Sequence, residues 1–170
     1  NSYDEYIIGY YKNKNKKQKI NISQNFNKIN IEIGFGNGEF LIKRAISNPN
    51  ELFIGIEVYI NGIAKVLSTI SDLGLNNIIL SHLNGYYFLK AMPYKSVDKV
   101  FIINPDPWIK KRHNKRRLLS YETMLLLTRI VKSKYSIYMT TDSECYLRDI
   151  ERLLCKYEHL LGEYKINILS

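Results

Sequence analysis

Five short apolar runs alternate with five helical patterns along this chain, and that alternation admits few folds. The runs are Ile29 to Ile33, Leu52 to Val58, Asn77 to Leu80, Val97 to Ile103 and Tyr135 to Thr141. After each comes a stretch with apolar residues at helical spacing: Glu39 to Ser47, Asn61 to Leu73, Tyr86 to Met92, Leu118 to Lys132 and Ser143 to Tyr157. Strands that each return through a helix run parallel, so the expected fold is α/β, a doubly wound, mainly parallel sheet with helices on both faces. Ile60, Ile63, Ala64, Leu67 and Ile70 form an expected core stripe on the second helix, and Tyr146, Leu147, Ile150, Leu153 and Leu154 one on the fifth. At 170 residues the length fits one domain with a real core, and a 45% apolar fraction excludes wholesale disorder. The domain is expected over residues 30–170, after a basic, loosely ordered leader, 1–29, rich in Asn, Lys, Tyr and Ser.

In an open parallel sheet, ligands bind outside the C-terminal ends of the strands. The first strand ends in Gly34-Phe35-Gly36-Asn37-Gly38, where glycines let backbone and helix N-terminal amides approach a ligand closely. A dinucleotide fingerprint would want Gly or Ala at position 39, but Glu39 stands there. That departure points away from NAD toward a ligand without a pyrophosphate, of which S-adenosylmethionine is the commonest. Glu57 lies about twenty residues beyond the glycines, where a carboxylate can accept both ribose hydroxyls. Its other reading is a surface-facing strand glutamate. Asn84, just past the third strand, is read first as a turn residue and second as a hydrogen-bonding partner for adenine. Asp106 and Asp142 follow the fourth and fifth strands, so all these positions would converge on one crevice.

Asp106 sits between Pro105 and Pro107, at the head of Trp108-Ile109-Lys110-Lys111-Arg112-His113-Asn114-Lys115-Arg116-Arg117. Pro-Asp-Pro is ordinary turn chemistry, and a basic run is often a solvated face. Their junction at the end of a buried strand places a rigidly held acid beside a phosphate-binding patch. Trp108 offers a face for base stacking or a core anchor. With 25 Lys and Arg against 16 Asp and Glu, the formal charge is +9 and favours polyanionic partners. Basic residues gather in a second place, Lys12 to Lys19, as a grip on a long phosphate backbone or as a solvated tail.

Cys145 and Cys155 lack Cys-x-x-Cys spacing, and only His82, His113 and His159 could join them, so neither a structural metal nor a disulfide framework is expected. Without a charged-then-apolar leader or an apolar run of membrane-spanning length, a cytoplasmic protein with no membrane partner is expected, as a monomer or homodimer.

Taken together, Ile31-Glu32-Ile33-Gly34-Phe35-Gly36-Asn37-Gly38, Gly55-Ile56-Glu57-Val58, Pro105-Asp106-Pro107-Trp108 with its basic block, and Thr141-Asp142 resemble the bacterial tRNA (guanine-N7-)-methyltransferase family. The resemblance covers roughly residues 30–157, and the Pro-Asp-Pro-Trp and basic block is its most specific part. It implies a Rossmann-like S-adenosylmethionine methyltransferase fold and methyl transfer to N7 of a guanosine in the tRNA variable loop. By the same resemblance, Glu32, Gly34, Gly36, Gly38, Glu57, Asn84 and Asp106 would bind or line the pocket of S-adenosylmethionine, with Asp106 the catalytic residue. Lys110, Arg112, His113, Asn114, Lys115, Arg116, Arg117 and Asp142 would meet tRNA.

Two features depart from the family pattern. Asn84 stands where the family usually has Asp. The family also continues into an antiparallel hairpin and a Thr-x-x-Glu segment, of which Glu163 to Leu169 would supply at most the start, so the fold is expected to lack that hairpin.

Guanine N7 is an unprotonated lone pair, so the expected chemistry is positioning plus charge, with Asp106 orienting the guanine edge and offsetting its growing positive charge. A rival reading is a catalytically weakened or inactive tRNA-binding relative. A nicotinamide-dependent oxidoreductase is disfavoured by Glu39, and a small-molecule or protein methyltransferase by the basic block.

Overall fold

The computed structural model describes residues 26–106, 118–132 and 137–161. Eleven elements are present among them: β1 Lys28–Ile33, α1 Glu39–Ser47, β2 Glu51–Ile56, α2 Ile60–Asp72, β3 Ile78–Ser81, α3 Gly85–Ala91, β4 Lys99–Ile103, α4 Tyr121–Ile130, β5 Ile137–Thr140, α5 Glu144–Lys156 and the short α6 Glu158–Leu161. The strands form one sheet in the order β3-β2-β1-β4-β5, and every pairing is parallel. Chain order therefore reverses between β1 and β4. The expectation of a mainly parallel, doubly wound sheet is met in full over these residues.

The pattern of burial explains the strands. Leu52, Phe53, Ile54 and Ile56 of β2 are all buried, because β-branched and aromatic side chains on both sides of a central parallel strand must be covered. One face packs Phe53, Ile78 and Leu80 against Leu41 and Ala45 of α1 and Ile63, Val66 and Ile70 of α2. The other sets Ile31, Ile33, Ile54 and Ile102 against Phe88 and Leu89 of α3, Met124, Leu127 and Ile130 of α4, and Tyr146 and Ile150 of α5. Phe26 packs on this second cluster, just ahead of β1.

Two expected elements, β4 and α4, begin two or three residues later than the periodicity suggests. Val97 makes only an isolated bridge to Val131, and β4 begins at Lys99. The interruption is Asp98, whose side-chain Oδ2 accepts from the Ile29 amide at 2.9 Å and pairs with Lys132 Nζ at 2.8 Å. Helix α4 starts three residues late because Ser120 acts as its N-cap, its hydroxyl accepting from the Thr123 amide at 3.2 Å. The expected stripe on α2 needs correction: Ile63 and Ile70 are core, but Ile60 and Ala64 are exposed and Val66 is buried instead. Ile60 is the first residue of the helix and is exposed there, and Ala64 is rotated off the Ile63–Val66–Ile70 face.

Candidate active site

Parallel strands leave all their C-terminal ends on one edge, and five of the expected site positions follow those ends directly. Residues 34–38 come after β1, Glu57 after β2, Asn84 after β3, Asp106 after β4 and Asp142 after β5. With neighbouring strands about 4.8 Å apart, Asn84 and Asp142 mark opposite ends of a row roughly 20 Å wide. The glycine loop and Asp106 flank its centre, the reversal point where an open α/β sheet forms its crevice.

The glycine loop is built by left-handed backbone. Gly34 and Gly36 have φ of +76° and +54°, and a side chain placed on either would meet nothing within 4 Å. Open space thus lies over the loop. Gly38, the N-cap of α1, is required for another reason: a Cβ there would overlap the side chain of Val66 on α2. On the far side of the loop, α2 approaches so closely that a Cβ on Gly62 would strike the carbonyl oxygen of Gly36.

Glu57 holds this arrangement together. One carboxylate oxygen accepts from the Gly36 amide at 2.7 Å, and the other from the amides of Val58 and Tyr59 at 2.6 and 2.9 Å, at the entrance to α2. An acceptor at a helix N-terminus is stabilised by the free amides and the helix dipole. Glu57 is therefore a brace for the loop as well as a carboxylate facing the crevice edge.

Glu32 is chemically the most unusual group. It lies within β1, only 3% exposed, and its Oε2 has no hydrogen-bond partner. Burial strips the carboxylate of its hydration and the nearby charge of Glu57 repels it, so its pKa is pushed up to about 7. A buried acid left with a free oxygen is poised to accept a hydrogen bond or a positive charge.

The remaining positions are exposed. Asn84 caps α3, its Oδ1 accepting from the Tyr86 amide at 3.0 Å. His82 Nε2 donates to the Val58 carbonyl at 3.0 Å and links the ends of β2 and β3. Beside them, Val58 is 60% exposed and Leu83 39%, an apolar surface on the β2–β3 side of the loop. Asp106 and Asp142 are both exposed on the opposite side. Trp108, Lys110 and the block from Arg112 to Arg117 lie outside the described residues, as do Lys12 to Lys19, Tyr135 and Glu163 to Leu169. The structure brings Glu32, Glu57 and the glycine loop together and sets Asp106 across the reversal point from Asn84.

Three residues at this edge carried no functional expectation from the sequence. Gly62 shapes the loop from behind. Asn104 and Thr140 join the ends of β4 and β5 through their side chains, at 3.0 Å. A glycine inside a helical pattern is a signal for close approach that the sequence does carry. The Asn104–Thr140 contact had none, since the two residues are 36 positions apart.

The protein-family profile described as "Putative methyltransferase" matches residues 26–165. The chain is 41% identical over 124 residues to the bifunctional methyltransferase of Rickettsia bellii, covering 73% of this chain and 22% of that protein. It is 36% identical over 141 residues to the tRNA (guanine-N(7)-)-methyltransferase of Wolbachia pipientis, covering 82% of this chain and 64% of that one. The chain thus spans less than two thirds of the length of either relative. Among solved structures, the 30S ribosomal A1408 methyltransferase from an uncultured bacterium matches with a TM-score of 0.57 at 24% identity, covering 82% of this chain and 67% of that one. That last likeness is one of fold.

Proposed function

We propose, on the premise that this chain belongs to the tRNA (guanine-N7-)-methyltransferase family, that it transfers a methyl group from S-adenosylmethionine to N7 of a tRNA guanosine. The observation that carries the reading is the buried Glu32 carboxylate, its Oε2 without a partner, beside an open left-handed glycine loop, with Asp106 across the reversal point. These residues fit the donor. Glu32 would meet its positive charge, the loop backbone would admit its close approach, and the exposed Val58 and Leu83 would cover a flat apolar ring. Glu57 would accept from ribose hydroxyls while its amide contacts keep the loop in shape. S-adenosylmethionine would supply an already activated methyl group on a sulfonium.

What the protein must add is alignment and charge, because N7 carries no proton to remove. Asp106 accepts hydrogen bonds from the guanine edge and stabilises the positive charge that develops on the base. The basic block from Lys110 to Arg117 and Asp142 engage tRNA, chiefly through its backbone and shape. Asn84, lacking the charge of the family's usual Asp, retains a hydrogen bond toward adenine.

The test is methyl transfer from labelled S-adenosylmethionine to bulk unmodified tRNA, with the product mapped to N7 of guanosine. Asp106→Ala is expected to lower kcat by about 100-fold or more, and kcat at saturating donor is expected to be flat across neutral pH. A rate at saturating donor that climbs through neutral pH, and still does so in Glu32→Gln, would count against the electrostatic role. Absence of transfer alongside intact tRNA binding would identify a binding-only relative.

A further inference from the structure

Asn104 is the last residue before the Pro-Asp-Pro turn, and its backbone is in the wrong place for such a position. A residue preceding proline is pushed toward extended geometry, since the proline ring crowds the helical regions. Asn104 instead has φ of +45°, in the left-handed region. Among the described residues the only other non-glycine with positive φ is Lys95, in the turn before β4. Asparagine tolerates this conformation better than most side chains, but something must hold it there.

Thr140, the last residue of β5, supplies the hold. The Asn104 amide lies 3.1 Å from the Thr140 carbonyl oxygen and 3.2 Å from its Oγ1, so both are in reach of the same donor. The Thr140 hydroxyl in turn donates to Asn104 Oδ1 at 3.0 Å. Strand pairing brings them together, because Ile103 is opposite Thr140 in the β4–β5 register. The consequence falls on the next two residues. Pro105 has a fixed φ, so the direction in which the chain leaves β4, and with it the location of Asp106, follows from the turn at Asn104.

We propose that Asn104 and Thr140 are a positioning pair that fixes Asp106 relative to the loop carrying Asp142, two residues beyond Thr140. This rests on the reading of Asp106 given above. The pair touches no substrate. It acts by making one acid, on a loop at an exposed sheet edge, arrive at a reproducible place, which matters most when catalysis consists of alignment.

The experiment compares Thr140→Val, Thr140→Ser, Asn104→Gly and the double variant Asn104→Gly with Thr140→Val. Thr140→Val keeps the shape of threonine and loses the hydroxyl; kcat on tRNA is expected to fall about tenfold, with KM for both substrates and the melting temperature unchanged. Thr140→Ser is expected to restore kcat. Asn104→Gly permits the left-handed turn but lacks the side chain, so it should lose about as much, and the double variant no more than either single. Wild-type kcat in Thr140→Val, a loss that serine does not restore, or additive losses would each overturn the pair. Hydrogen exchange at the Asn104 amide gives a readout independent of activity and should accelerate in Thr140→Val; an unchanged rate overturns the pair. If the wild-type chain itself transfers no methyl group, the underlying reading falls, and the exchange rate still decides whether the pair holds the turn.

Discussion

Glu32 is a carboxylate that the fold would rather keep protonated. Its folded-state value of about 7 stands above the ordinary 4.5, so between those pH values the folded chain holds a proton that the unfolded chain has released. Stability from this residue is accordingly greatest near and below pH 4.5, falls as pH rises toward 7, and stays reduced above it. The difference is on the order of 3 kcal/mol. Glu32→Gln, neutral at every pH, is expected to raise the melting temperature at pH 8 by about 5 °C or more and to leave it near wild type at pH 4.5. A cationic donor should favour the ionised form, so S-adenosylmethionine affinity is expected to tighten as pH rises through about 7 in the wild type and to lose that dependence in Glu32→Gln. Calorimetric titrations at pH 6 and pH 8 separate the two behaviours.

The first turn of α2 and the glycine loop form one mechanical unit. Gly62 lets the helix lie against the Gly36 carbonyl, and Glu57 binds the Gly36 amide from the other end of the same connection. Gly62→Ala inserts a methyl group where backbone already is, an overpacking change that typically costs about 1–3 kcal/mol. The loop is the softer partner and should move. S-adenosylmethionine is then expected to bind about tenfold more weakly, a loss larger than the drop in melting temperature alone would suggest. Equal cofactor affinity in Gly62→Ala would mean that the helix yields instead.

The molecule as a whole carries a charge of +9, and polyanion binding by such a surface releases condensed counterions. Affinity for tRNA should therefore fall steeply with salt. Replacing both Arg116 and Arg117 with Ala is expected to weaken tRNA binding and to lower the slope of log affinity against log salt by on the order of 1.5, with cofactor affinity unaffected. Filter binding at several salt concentrations would show this, and an unchanged slope would remove the block from the tRNA interface. Among the described residues no helix is long and apolar enough to cross a membrane.

The alternation of apolar runs and helical patterns is written in local composition, which is why strand count, parallel pairing and the convergence of Glu57, Asn84 and Asp106 on one edge are legible in the sequence itself. The family pattern around Pro105-Asp106-Pro107 is equally local. Other properties depend on what lies across space. The exposure of Ile60 and Ala64 reflects which side of α2 is packed, the side of Ile63, Val66 and Ile70, and the late start of β4 reflects Asp98 meeting Ile29 from 69 residues away. The high pKa of Glu32 arises from burial, which no residue carries in its own identity. The bracing role of Glu57 requires Gly36 to return over it, and the strained turn at Asn104 requires Thr140 from the neighbouring strand. Periodicity and motif determined which groups share an edge; only tertiary packing decided their ionisation, their partners and the direction in which they are held, because those depend on neighbours far apart in the chain.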